Sequence, residues 1–260
     1  MITTLRILSE NQAEEGFESE HGFSWLVEAD KKVLFDTGAS NLFLRNAELM
    51  QVDLASVDVV ALSHGHWDHG NGLRYLSCKR VVCHPGVFIK RFSRDGNRSV
   101  GLIFAEEETN ELLFDKTDSP MWLSDRIVFL GEIKRKHPFE NTPTFFTLSS
   151  GEPDLLPDDS ALAVVHNDGI IVITGCAHSG VCNIVDQAIA VTGLKKVIAV
   201  LGGFHLKVHN AQSQKTLAYL KQLKVELIMP SHCTSFEVLA EYYKEWNTDP
   251  VKAGKTITFS

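Results

Sequence analysis

The segment Ser63-His64-Gly65-His66-Trp67-Asp68-His69-Gly70-Asn71-Gly72 constrains this chain more than any other. Three histidines and one aspartate crowd into six positions, directly behind the apolar run 57–64 (VDVVALSH). That run reads as a buried strand, so the donors fall in the loop at its end. Side chains at i and i+2 of such a loop can point the same way, which lets His64 and His66 share one ion. Asp68 and His69 fall at the start of the next helix and can turn toward a second ion. Imidazole and carboxylate donors suit zinc first, with iron or manganese as alternatives. Gly65 and Gly70 let the backbone bend tightly between them. The competing reading is a solvated loop that happens to be rich in histidine. Four potential ligands packed this densely after a buried strand count against it.

Composition surrounds this loop with an ordinary folded chain. The 260 residues are 44% apolar and 22% charged, enough for a full core in one large domain or two small ones. Lys+Arg number 25 against 33 Asp+Glu, a net charge of −8. That balance counts against a general binder of nucleic acid or anionic membrane, which needs a basic face. No stretch approaches the roughly 18–20 uninterrupted apolar residues of a transmembrane helix. The N-terminal MITTLRILSENQAEEGFES turns acidic where a signal peptide needs an apolar run. Five sparse cysteines fit reduced thiols better than a disulfide framework. The expectation is a soluble, cytoplasmic protein that works on a small molecule.

Strand and helix patterns alternate along most of the chain. Strands are expected at 2–8, 23–29, 32–36, 57–64 and 79–84, with a helix over 41–50 capped by Ser40 and another starting at 71–76. After Pro157 the spacing predicts a hairpin (161–166 and 170–174) turning on Asn167-Asp168-Gly169. Helices then follow at 180–192, 212–223 and 235–246, alternating with strands at 196–201, 225–229 and 254–259. Residues 86–150 differ: basic and aromatic residues, an acidic run and three prolines interrupt any long period. They read as an inserted, lid-like segment with short strands such as 127–130 and 144–148, within a single domain spanning 1–260. Layered α/β architecture follows from the pattern.

His64-x-His66-x-Asp68-His69, preceded by Phe35-Asp36-Thr37-Gly38, resembles the metallo-β-lactamase superfamily. The resemblance covers most of the chain and implies a four-layer αβ/βα sandwich with a metal site at one edge, between the sheets. Asp36-Thr37-Gly38 matches the early aspartate motif that supports the metal loop from behind. Pro230-Ser231-His232-Cys233-Thr234 matches the final ligand motif. The segments Glu20-His21-Gly22-Phe23-Ser24, Cys83-His84-Pro85, Gly131-Glu132-Ile133, Thr174-Gly175-Cys176-Ala177-His178-Ser179-Gly180 and Gly202-Gly203-Phe204-His205-Leu206 look like a narrower branch. That branch is similar to the dihydropterin ribofuranosylaminobenzene phosphate synthases of methanopterin biosynthesis. One departure stands out. The hairpin entry Pro157-Asp158-Asp159-Ser160 carries no histidine where most hydrolases of the superfamily have one, and Cys176 stands where a bridging aspartate would. The first site can then take His178 instead, with Asp159, or with less support Asp158, entering the shell. Cys176 is either a thiolate ligand or a buried structural cysteine, and the stoichiometry is one or two metals.

The metal candidates are therefore His64, His66, Asp68, His69, His178, His232 and Asp159. His205, which follows another apolar strand beside glycines, is a ligand, substrate-contact or packing residue. His84 is a weaker substrate contact and His21 weaker again; His137, His166 and His209 read as surface or hairpin residues. In the cationic stretch 90–98, Arg91 and Arg94 are candidates to hold a phosphate or carboxylate, against the alternative of a solvated helix face. A divalent ion lowers the pKa of bound water to about 7 and polarises a carbonyl or phosphoryl oxygen, and Asp68 can orient that water or take its proton. Bound cations would also concentrate positive charge in one cleft of an acidic chain, suiting an anionic substrate. Three readings follow. One is hydrolysis of a small phosphorylated, ester or amide substrate. A second is transfer, as in the synthase branch, between a pterin diphosphate and a phosphorylated riboside. The third is an iron-binding, non-hydrolytic or redox protein.

Overall fold

The computed structural model describes residues 1–77, 79–109, 111–140 and 146–260. In chain order the elements are strands β1 (Thr3–Ser9), β2 (Ser24–Glu28) and β3 (Lys32–Phe35), helix α1 (Leu42–Leu49), strand β4 (Val59–Ala61) and the short helix α2 (Trp67–Gly70). Strands β5 (Arg80–Cys83), β6 (Arg91–Ser93), β7 (Leu113–Lys116), β8 (Met121–Trp122), β9 (Ile127–Phe129) and β10 (Phe146–Leu148) occupy the middle. The last part holds β11 (Ala161–His166), β12 (Gly169–Thr174), α3 (Val181–Thr192), β13 (Val197–Gly203), α4 (Ala211–Gln222), β14 (Leu227–Ser231), α5 (Phe236–Trp246) and β15 (Thr256–Phe259).

Two sheets carry the fold. The first has the order β15-β1-β2-β3-β4-β5-β7 and the second the order β14-β13-β12-β11-β9-β8. Strand side chains alternate between faces, and here both faces of each sheet are apolar. In β3, Val33 and Phe35 enter the layer between the sheets while Leu34 faces outward. In β12, Ile171 and Ile173 enter that layer, and Ile170 and Val172 face α3, α4 and α5. The outward face of the first sheet is covered by α1 through Phe43 and Ala47. Three apolar layers between four layers of structure make the αβ/βα sandwich. No helix among the described residues is long and apolar enough to cross a membrane.

Parallel pairing gives the sandwich a working edge. β4 runs parallel to β3 and β5, and β13 runs parallel to β12 and β14. Segments following the carboxyl ends of parallel strands gather at one rim, where α/β sheets bind ligands. His64, Cys176, His205 and His232 all lie just past such ends.

Three local expectations need correction. The segment 86–150 does not stand apart from the sandwich: β7 extends the first sheet beside β5, β8 and β9 extend the second, and among the described residues β6 pairs with β10 in a small separate sheet. The start of the 144–148 strand lies outside the described residues. Helix α1 begins on Asn41, with Ser40 Oγ accepting from Leu42 N at 3.1 Å. The helix expected at 71–76 is a 3₁₀ turn, Asn71–Tyr75, continuing α2.

Candidate metal centre

Asp36 organises the first sheet's side of the rim. It leaves β3 in the left-handed region (φ 60) and is fully buried. Its Oδ1 accepts from Ser63 N at 2.7 Å, and its Oδ2 accepts from Ser63 Oγ at 2.7 Å. His69 Nδ1 lies 2.7 Å from the same Oδ2. Because the Ser63 hydroxyl donates to Asp36, it is left to accept from His64 Nδ1, 2.8 Å away. This network assigns the proton of each ring to Nδ1, so His64 and His69 both offer Nε2 to the cleft. Gly65 is required between the donors, since a Cβ there would stand 1.9 Å from Val87 O.

The second sheet supplies the facing donors from three strand ends. Ala177, His205 and His232 adopt φ 55, 48 and 51, left-handed values that cost non-glycine residues about 1–3 kcal/mol each. Such strain persists where packing over-determines it, and here it lies at the cleft.

The side chains converge in two groups. In one, His64 Nε2 lies 2.9 Å from His66 Nδ1 and 3.3 Å from His178 Nε2. In the other, His69 Nε2 lies 3.1 Å from His232 Nε2, and Asp68 Oδ2 lies 3.4 Å from His232 Nε2 and 3.1 Å from His21 Nε2. Cys176 Sγ is 3.2 Å from His69 Nε2 and also groups with His64 and His178. Two nitrogens on one tetrahedral zinc, each at about 2.0–2.1 Å, stand about 3.3 Å apart. The observed spacings match that figure, and His66 Nε2 is buried with no hydrogen-bond partner among the described residues.

Protonation favours the same use. Burial drives His64 and His178 well below the usual imidazole range, His66 to about 3 and His232 to about 4. Neutral imidazoles carry the lone pairs that metals need. Burial opposes charge on His69 too, but Asp36 outweighs it and lifts His69 to about 9. Burial likewise opposes ionisation of Asp68, yet hydrogen bonds from His21 and His232 hold it well below the carboxylate range. The neutral imidazoles of His64, His66, His178 and His232 beside ionised Asp68 fit a divalent cation, and His69, which Asp36 holds charged, would give up its Nε2 proton to bind one.

A family model described as the metallo-beta-lactamase superfamily matches residues 20–87. The 7,8-dihydropterin-6-methyl-4-(beta-D-ribofuranosyl)-aminobenzene-5'-phosphate synthase of Methanocaldococcus jannaschii is 33% identical over 268 residues, covering 94% of this chain and 91% of that protein. The chain belongs to the metallo-β-lactamase superfamily. An uncharacterized protein of the same archaeon is 33% identical over 251 residues, 91% of this chain and 93% of its own. Among solved structures, Tm1679, described as a metal-dependent hydrolase of the beta-lactamase superfamily, superposes with a TM-score of 0.86. It is 33% identical and covers 98% of both chains.

Within this superfamily sandwich, the sequence candidates fall into place unequally. His64, His66, His178, Asp68, His69 and His232 come together as described. Asp159 lies outside both groups: its Oδ2 accepts from Ser179 N at 2.8 Å and from Ser179 Oγ, while Oδ1 has no hydrogen-bond partner among the described residues. Burial raises it to about 6. Arg91 is no substrate contact. It is fully buried, bonded to Asp154 and Asp158 at 2.6 Å each, and its stretch is strand and turn rather than a solvated helix face. Arg94 is exposed and Arg98, four residues on, lines the cavity above the donors instead. His84 turns inward, where its Nδ1 accepts from Gly86 N at 3.0 Å to cap a 3₁₀ turn. His205 does line the cavity and packs 4.3 Å from the His178 ring. His166, read as a surface or hairpin residue, closes the β11–β12 hairpin and is buried against Thr3.

Sequence reasoning underrated three neighbours. His21 stacks on His232 at 5.0 Å and bonds Asp68, although no strand or spacing marked it. Lys207 and Cys233 line the same cavity; Cys233 adjoins His232, the one available signal.

Proposed function

We propose that this chain is a metal-dependent hydrolase of a small phosphorylated substrate bearing an aromatic ring. One observation carries the reading. The donors floor a cavity of about 380 Å³ whose walls include Trp67, Phe146, Val100 and Val208, with Arg98 and Lys207 also lining it. Aromatic walls suit a planar ring, and guanidinium and ammonium groups suit phosphate. A divalent ion held by His64, His66 and His178, and by Asp68, His69 and His232, would lower the pKa of water and polarise a phosphoryl oxygen. Zinc is the first expectation for that donor set. Asp68, ionised and held by His21 and His232, would orient the attacking water or take its proton as the phosphorus–oxygen bond to the leaving group breaks.

A transferase reading rests on the synthase of Methanocaldococcus jannaschii, alike over 94% of this chain. In that reading the same cavity holds a pterin diphosphate, and an aminobenzene riboside phosphate replaces water. Both readings are tested together. Metal-loaded protein should release inorganic phosphate or an alcohol from aryl phosphate mono- or diesters, and chelation should abolish the release. Arg98→Ala should raise KM more than it lowers kcat, because Arg98 lines the cavity and belongs to neither donor group. Condensation of the pterin diphosphate with the riboside phosphate, without comparable hydrolysis, would replace the first reading with the second. Absence of both reactions in zinc-, manganese- and iron-loaded protein would overturn both.

A further inference from the structure

Cys176 lies where the two donor groups meet. Its Sγ is 3.2 Å from His69 Nε2. It belongs both to the set with His64 and His178 and to the set with His69 and His232, and in each set the ligand atoms lie within 4.8 Å of one another. Packing fixes the backbone on both sides of it. A Cβ on Gly175 would stand 2.2 Å from Ser63 Oγ, and one on Gly203 would stand 3.2 Å from Cys176 Cα. Ala177 then turns left-handed (φ 55), which aims the strand end at the HxHxDH loop.

The donor inventory shows what this sulfur supplies. His64, His66 and His178 offer nitrogen alone. The carboxylate of Asp68 pairs with His21 and His232 on the other side. Asp158 is committed to Gly65 N and Arg91, and Asp159 to Ser179. Among the described residues, the Cys176 sulfur is therefore the anionic donor within reach of the three-histidine group. The neighbouring sulfur of Cys233 accepts from His205 N at 3.3 Å and belongs to neither set.

We propose that Cys176 is a thiolate ligand shared by two metal ions, one in each donor group. The inference rests on the metal-dependent reading above. Binding removes the thiol proton to solvent and forms sulfur–metal bonds with no change of oxidation state. Imidazole and thiolate together favour zinc, cobalt or iron over magnesium or calcium.

Cobalt(II) titration of the metal-free full-length protein, followed by absorption and ion counting, tests this. The wild type should take two equivalents, with a near-ultraviolet sulfur-to-cobalt charge-transfer band that grows through both. Cys176→Ser should lose the band, while Cys233→Ser and Asp159→Asn keep it. A band that persists in Cys176→Ser, disappears in Cys233→Ser, or saturates at the first equivalent overturns the proposal, as does cobalt uptake without a band. Failure of the wild type to take up cobalt would instead overturn the metal-dependent reading. A measurement without variants covers the case in which Cys176→Ser does not fold. Zinc or cobalt should protect Cys176 from alkylation in the wild type, read by peptide mass spectrometry, and unchanged labelling of Cys176 counts against the proposal.

Discussion

On the first sheet's side of the cleft, the rings of His64 and His69 are each steered by a hydrogen bond behind them. His64 is tied to Ser63, His69 to Asp36, and Ser63 to Asp36, all within the buried interior. On the second sheet's side His232 Nδ1 also meets Asn11 Oδ1, at 3.3 Å, and the backbone adds its own steering. His205 and His232 themselves, and Ala177 just before His178, take left-handed conformations past β13, β14 and β12. Side-chain networks set ring direction and tautomer, whereas strained strand ends set only where a ring starts. The first side thus reads as the preformed half of the site, through His64 and His69, and the second as the half placed mainly by its strand ends.

The hardest test of that contrast removes the preformed half. His64→Ala combined with His66→Ala should lose most bound metal and the associated activity, measured by elemental analysis and product assay. The variant should still fold, because neither side chain belongs to the three apolar layers of the sandwich. Full metal retention would show that the second side binds without the first.

A smaller effect is expected where the two sides are clamped together. Asp158, just before β11, accepts from Gly65 N at 2.8 Å, and Arg91 pairs with both Asp158 and Asp154. Arg91→Ala would leave two buried carboxylates without their cation. Breaking such a pair costs about 3–5 kcal/mol, readable as a lowered urea midpoint in matched metal-free samples. Arg94→Ala, at an exposed position, should stay within about 0.5 kcal/mol of the wild type. Equal, small changes in both would show that the clamp relaxes without strain.

The same contrast explains what could be read from the residues. The HxHxDH loop and Asp36 were legible because their chemistry is contiguous or sits at an obvious strand end. Strand and helix order outside the middle was legible from periodicity, as β3 and β12 illustrate by feeding two different cores with alternate residues. Arg91 was not legible: its counter-charges stand 63 and 67 residues away, so a buried cation looked like a free one. The middle segment was misread because β7 is half exposed and β8 has two residues, too little for a period to show. His21 was marked only as part of a branch-like segment and not as a partner of the metal loop, since its role is defined by Asp68 and His232 across the fold.

The mildest change is also the most discriminating. In Asp36→Asn the amide oxygen can still accept from Ser63 N, but an NH₂ group replaces the oxygen that faces His69 Nδ1. Two donors cannot share that contact, so His69 would move its proton to Nε2, the atom it offers to metal. The Ser63 hydroxyl, which can no longer donate to this position, accepts from the new NH₂ and from His64 Nδ1 together while its hydrogen turns to His69 Nδ1, 3.4 Å away, so His64 should retain its tautomer. Loss of such a supporting hydrogen bond typically weakens metal affinity 10- to 100-fold. The expected titration is therefore biphasic, with one ion bound as tightly as in the wild type and the other weakened by about that factor. Equal weakening of both ions would mean that Asp36 supports the whole cleft through Ser63 rather than His69 alone. An unchanged titration would show that the ion itself, and not the network behind the first sheet's rings, sets their direction.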